Sequence, residues 1–210
     1  MIIEPLGDAA IILRSLEVPA YELAEAIQSS NLPGVFEAVA SYETVGIYFD
    51  PAVFDARSLD QIQLNGLYAK STLHEIPVSY ELGEDLADIA NALGLLADEV
   101  VRLHTSQTFR CFAVGFCPGF PYLGYLPSAL AGVPRRPSPR VRIEPGSVAI
   151  TGRQTGIYPM ERPGGWAILG RSPLCLVDAK DAYFPIKAGD EVRFYPIEPD
   201  EFIALKGERL

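Results

Sequence analysis

The residues with the most chemical capacity lie between Arg102 and Arg171. That window holds nine arginines, no lysine and two acids, Glu144 and Glu161, so it carries +7 in a chain whose net charge is −10. Arginine presents a planar fork of donors matched to carboxylate or phosphate, and its charge does not titrate away. Ten of the 18 glycines and nine of the 18 prolines share the window. Such residues fix loops whose backbone can approach a ligand or a partner closely. The segment therefore reads as a working surface for an anion or an acidic partner. The alternative is a loop-rich β domain whose arginines pair with the acidic remainder of the chain.

Three stretches concentrate these groups. Residues 115–127 alternate turn formers with large apolar side chains, so neither a regular strand nor a helix is expected there. Residues 134–142 put Arg135, Arg136, Arg140 and Arg142 on an extended run stiffened by Pro134, Pro137 and Pro139. Residues 146–160, followed by Pro163, Gly164, Gly165 and Trp166, set Ser147, Thr151, Arg153, Gln154, Thr155 and Tyr158 beside glycines that leave backbone N–H groups accessible.

The elements that must carry these stretches fall into two parts. In the first, residues 2–6 and 9–13 flank Gly7-Asp8, a hairpin signal. Leu23, Ala26 and Ile27 recur at helical spacing over residues 19–29, with Pro19 suited to a first turn. Residues 35–40 and 45–49 are strand-like, residues 57–67 are helical in pattern, and residues 73–78 form a further strand. The order strand, helix, strand, strand, helix, strand is that of a ferredoxin-like split βαβ unit with a hairpin added at its start. Residues 85–93 and 98–104 are two short helices, the first ended by Gly94. Short apolar runs at 109–114, 148–151, 165–169, 174–177 and 192–195, separated by turn residues, imply a sandwich or barrel. The expected fold class is α+β, with a boundary near Tyr80 between residues 1–80 and residues 81–210.

At the three loop stretches the chain resembles the family of B-type 5-oxoprolinase subunits, also called the Kip inhibitor or allophanate hydrolase subunit 1 family. Gly-Phe-x-Pro-Gly-Phe-x-Tyr-Leu is met by Gly115 to Leu123, and Pro-Arg-Arg-x-x-Pro-Arg by Pro134 to Arg140. Gly-Ser-Val-x-Ile runs from Gly146, Gln-Thr-Gly-Ile-Tyr-Pro from Gln154, and Pro-Gly-Gly-Trp ends at Trp166. A Glu-Val-Val-x-x-His helix ends at His104. The resemblance implies a ferredoxin-like N-terminal part and a cyclophilin-like C-terminal β barrel. Two departures stand out: Glu144 and Pro145 replace a Pro-Ala pair before Gly146, and Phe109 stands where a tyrosine is common.

The resemblance also implies an activity. Family members open 5-oxoproline to glutamate at the expense of ATP. They act together with a homologue of allophanate hydrolase subunit 2, which is the C-type component of 5-oxoprolinase, and with a lactam-utilisation-type protein, its A-type component. Phosphorylation of the lactam oxygen would make a poor electrophile open to water. That route needs cations, carbonyl donors and a proton-transfer group. Arg140, Arg142 and Arg153 are candidates for the first, and each could equally be a structural ion pair. Ser147, Gln154 and Tyr158 are candidates for the second, and His104 for the third. Gly119 is placed with the binding groups, Arg135 and Arg136 are read as contacts at the surface or between subunits, and Tyr158 and Trp166 also suit a core. His104 has a competing role as a helix C-terminal cap, and His74 reads as structural.

Several classes are disfavoured. No stretch is long and apolar enough for a transmembrane span, and the first residues lack a signal-peptide pattern, which points to the cytoplasm. The pI of 4.7 and the lysine-free cluster oppose nucleic acid. Cys111, Cys117 and Cys175 lack zinc spacing, no metal-ligand cluster is seen, and buried thiols are the default. No phosphate loop is present, so ATP is expected at an interface or on a partner. Competing functions are a binding protein that inhibits a histidine kinase, part of a urea carboxylase or allophanate hydrolase system, and an independent prolyl isomerase.

Overall fold

The computed structural model describes residues 1–62 and 71–210, which form two compact units, Met1–Ser71 and Thr72–Leu210. In the first unit, strands β1 (Ile2–Pro5) and β2 (Ala10–Arg14) form a hairpin. Gly7 turns it at φ +69°, a conformation costly for other residues. Helix α1 (Ala20–Ser29) starts after Pro19 and buries Ala20, Leu23, Ala24 and Ile27. Strands β3 (Val35–Ser41) and β4 (Thr44–Phe49) complete an antiparallel sheet of order β1-β2-β4-β3. Leu13, Val45 and Ile47 are fully buried on the face that α1 covers. Of the helix expected over residues 57–67, a 3₁₀ turn, Ala56–Gln61, is present, capped by the Asp55 carboxylate on the Arg57 N–H. Ile62 follows in an extended conformation, and residues 63–67 lie outside the described residues.

The strand expected to close this first sheet does not. β5 (Leu73–Val78) pairs in parallel with β13 (Glu191–Pro196) in the second unit, from Leu73↔Glu191 to Val78↔Pro196. The division of the chain therefore falls before β5 rather than near Tyr80, and in the first sheet β1 takes the place beside β2. Local pattern cannot report such a pairing, because the partner lies 118 residues away (191 − 73). Backbone and side-chain anchors hold it: Asp190 accepts from the Thr72 N–H and pairs with the His74 ring at 3.1 Å.

In the second unit, α2 (Leu86–Leu93) ends at Gly94 in the left-handed conformation and α3 (Ala97–Thr105) follows. Then come β6 (Phe109–Val114), β7 (Pro121–Gly124), β8 (Arg140–Ile143), β9 (Ser147–Thr151), β10 (Gln154–Ile157), β11 (Arg162–Gly164) and β12 (Ala167–Arg171). Helix α4 (Pro199–Ala204) follows β13. Seven strands form one sheet, β12-β9-β10-β7-β6-β13-β5, and β8 pairs with β11 as a separate ribbon. Ser79, just past β5, exchanges both backbone hydrogen bonds with Arg171 at the end of β12, so the sheet is nearly closed into a barrel. Its interior is filled by Ile76, Val78, Phe109, Leu123, Ile150, Leu169 and Phe194.

Two sequence expectations fail here for identifiable reasons. Residues 115–127 do contain a strand, β7, because Pro121 occupies its first position, where a missing N–H is tolerated, and Leu123 points to the core. Residues 174–177 form no strand; Cys175 makes only an isolated bridge to Arg209.

Candidate functional site

The concave site of the second unit lies beside β7, at the end of β10 and under the loop of residues 134–139. It encloses about 200 Å³ and is walled by Phe116, Phe120, Tyr122, Tyr158 and Trp166, with Arg135 and Arg136 at its rim. The rings meet edge to face: Phe120 lies 5.1 Å from Tyr158, 5.0 Å from Tyr122 and 5.5 Å from Trp166. Such T-shaped pairs each add about 0.5–1.5 kcal/mol beyond area burial. Phe116 is 58% exposed and sits at φ +66°, a region few bulky residues occupy. A strained, exposed aromatic held over a pocket is a mark of a binding surface.

One carboxylate sets the position of the arginine loop. Asp85, at the start of α2, accepts from Arg136 at 2.9 Å, Arg140 at 2.7 Å and the Ile168 N–H at 2.7 Å. Burial works to raise its carboxyl, but the Arg140 and Ile168 hydrogen bonds and the charges of Arg140 and Arg136 outweigh burial and hold it below its ordinary value. The Arg136 N–H also donates to the Gly165 carbonyl, which ties the loop to the strand entry beside Trp166.

Tyr158 is the one expected site residue that lines this pocket. Burial pushes its hydroxyl up to about 12, against the Trp166 N–H and the Arg135 charge, which act to lower it. At neutral pH it is therefore a donor.

The other candidates lie elsewhere. His104 is in the barrel core, 0% exposed, stacked 4.8 Å from Phe194. The Thr155 hydroxyl donates to the Ala149 carbonyl, so it accepts from His104 Nε2–H at 2.9 Å. Nδ1 then accepts from the Tyr80 hydroxyl at 2.8 Å. Burial drives the ring down to about 3, so it is a neutral structural group and not a proton shuttle for the pocket. Arg142, on the β8–β11 ribbon, is exposed and neutralised by Glu144 at 2.8 Å and Glu161 at 3.0 Å. The unusual Glu144 thus answers Arg142 and does not enter the pocket.

Arg140 is committed to Asp85 and Glu84. Arg153, in the turn before β10, places its guanidinium 4.4 Å over the Tyr125 ring. Gln154 pairs in β10 with Gly124 and Thr151. Ser147 is buried in β9, its carbonyl accepting from the Tyr158 N–H. Gly119 adopts φ +76° where a side chain would collide with Val177, so it serves a turn.

Sequence reasoning missed Arg135 and Arg136 as pocket residues and placed Tyr158 and Trp166 ambiguously. A usable signal was present. Five of the six aromatics between Phe116 and Trp166 that flank glycine or proline in these motifs, namely Phe116, Phe120, Tyr122, Tyr158 and Trp166, wall one cavity. Large rings in turn-rich segments cannot all enter a strand core, so they converge beside it.

Comparison with known proteins places the chain. The carboxyltransferase domain, subdomain C and D, matches residues 1–185. The chain belongs to this family. It is 36% identical over 208 residues to a protein of Escherichia coli O157:H7 named as the B-type subunit of 5-oxoprolinase, covering 91% of this chain and 94% of that one. A Bacillus subtilis (strain 168) protein of the same name is 31% identical over 233 residues, covering 98% and 97%. Among solved structures, TTHA0988 superposes with a TM-score of 0.79 at 37% identity over 90% of this chain, which spans 40% of that longer one. The Kluyveromyces lactis urea amidolyase, at 19% identity and a TM-score of 0.71, covers 96% of this chain and 15% of its own, and shares the fold. The matched span of the carboxyltransferase family includes every residue of the aromatic pocket.

Proposed function

We propose that the protein is a non-autonomous subunit of an ATP-dependent 5-oxoprolinase, which opens 5-oxoproline to glutamate. The observation that carries this reading is length-matched similarity: curated relatives that share one name cover 91–98% of this chain and 94–97% of their own. In this reading the partners are the C-type component of 5-oxoprolinase, homologous to allophanate hydrolase subunit 2, and the lactam-utilisation-type A component, working in the cytoplasm. In this reading the barrel is the cyclophilin-like part and the first unit, with β1 where β5 was expected, is the counterpart of the ferredoxin-like part. Among the described residues no helix is long and apolar enough to cross a membrane.

ATP does not fit the residues of this pocket. About 200 Å³ is below the usual span of roughly 300–1,000 Å³ for ligand sites, and Arg136 is already neutralised by Asp85. The reading therefore assigns nucleotide binding to a partner protein. The test is ATP-dependent release of glutamate from 5-oxoproline by the purified chain, with and without its two partners. Release by the full mixture alone is expected. A well-folded, associating mixture that releases no glutamate would refute the reading.

A further inference from the structure

The pocket contains a positive charge that meets no carboxylate among the described residues. Arg136 pairs with Asp85, whereas Arg135 makes no ion pair among the described residues. Its charge is close enough to favour the ionised forms of Tyr122 and Tyr158. A guanidinium beside five aromatic rings, in a cavity of about 200 Å³, defines the complementary ligand: small, flat or cyclic, and anionic. The polar side chains of the lining point the same way. Arg135 and Arg136 can only donate, and the Tyr158 oxygen lies against the Trp166 backbone N–H, so the Tyr158 hydroxyl also acts as a donor. The guest must bring acceptors, as a carboxylate and an amide carbonyl do.

Resting on the 5-oxoprolinase reading, we propose that this pocket binds 5-oxoproline as an intact ring, its carboxylate on Arg135, its lactam oxygen at the Tyr158 hydroxyl and its methylenes against Phe120 and Trp166. The protein then recognises the substrate and does not open it. No side chain of the lining exchanges a proton near neutral pH: burial raises Tyr158 to about 12 and raises Tyr122, and the remaining polar groups are guanidiniums. Acid–base groups for ring opening come from a partner protein that closes over the mouth where Phe116 is exposed.

Trp166 is the only tryptophan of the chain and lies in the pocket, so its fluorescence reports occupancy directly. The full chain is titrated with 5-oxoproline, with 2-pyrrolidinone (the ring without the carboxylate) and with ATP. A saturable change is expected with 5-oxoproline, at least tenfold weaker binding of 2-pyrrolidinone, and no competition by ATP. Arg135→Gln, at an exposed position, is expected to weaken 5-oxoproline at least tenfold and to leave 2-pyrrolidinone unchanged. Trp166→Phe controls for signal from other sources. Equal binding of the two rings, no response to 5-oxoproline, or an unaltered affinity in Arg135→Gln would each overturn the proposal. Turnover by the assembled complex separates the two failures. Normal turnover with a KM untouched by Arg135→Gln discards the pocket assignment and keeps the 5-oxoprolinase reading. Saturable 5-oxoproline binding with no glutamate released keeps the pocket and discards the 5-oxoprolinase reading.

Discussion

Acidification should destabilise the second unit through one residue, His104. Its ring is fully buried and its pKa is about 3 against an ordinary 6.5. Between those values the unfolded chain binds a proton that the folded chain refuses. The stabilising contribution is therefore complete above pH 6.5 and is lost as pH falls towards 3. The slope is about 1.36 kcal/mol per pH unit for one proton, so the full window is worth about 5 kcal/mol and the step from pH 7 to pH 5 about 2 kcal/mol. Urea unfolding followed by Trp166 fluorescence reads this unit, and His104→Gln removes the titrating group while leaving every other acid and base in place. The wild-type chain should lose about 2 kcal/mol more than the variant over that step. The variant starts lower, by about 1–3 kcal/mol, because Tyr80 and Thr155 lose a well-placed partner. Parallel stability curves for the two proteins, or a His104 ring that titrates near pH 6.5 by NMR, would refute the argument and restore the residue as a proton-transfer candidate.

Three further outcomes are expected. Gly164→Ala puts a methyl against the Tyr158 hydroxyl and 2.7 Å from Ile143 Cδ1, so it should cost about 1–3 kcal/mol and weaken any pocket ligand, measured by thermal unfolding and Trp166 titration. Asp85→Asn leaves two guanidiniums without their shared carboxylate; partial exposure of Arg136 tempers the loss to about 2 kcal/mol, and wild-type stability at this node should fall as pH drops through the carboxylate range. Alkylation followed by mass spectrometry should modify Cys175 first. Burial pushes the Cys111 thiol up to about 12, and burial raises Cys117 despite Arg162, so both should be slow at pH 7.5.

Much of the fold was legible in the sequence where the signal was local, although residues 174–177 and 115–127 were misread. Helices α1, α2 and α3 follow from their apolar spacing, and the first hairpin from Gly7-Asp8. The membership of β5 was not, because hydrogen bonding to β13 depends on a partner far along the chain. The arginine cluster was visible as charge, but its division was not. Arg110, Arg136, Arg140 and Arg142 meet carboxylates from distant segments or from their own ribbon, and only the folded chain shows that, among the described residues, Arg135 does not. His104 looked chemical because histidine near glycine-rich motifs suggests proton transfer. Its actual surroundings, Tyr80, Thr155, Phe109 and Phe194, come from four separate elements of the sequence.

The parallel pairing of β5 with β13 also fixes an order of events in time. The first unit is complete once residue 71 is available, and β5 is made immediately afterwards. Its partner is synthesised 118 residues later. At roughly 5–20 residues per second, that is an interval of about 6–24 s in which β5 has no strand on its β13 side. Ile76 and Val78, which become fully buried, are apolar groups at risk throughout that interval. Any chain that stops before Glu191 leaves the seven-stranded sheet without the strand between β5 and β6, so truncation there should yield a folded first unit attached to an aggregation-prone remainder.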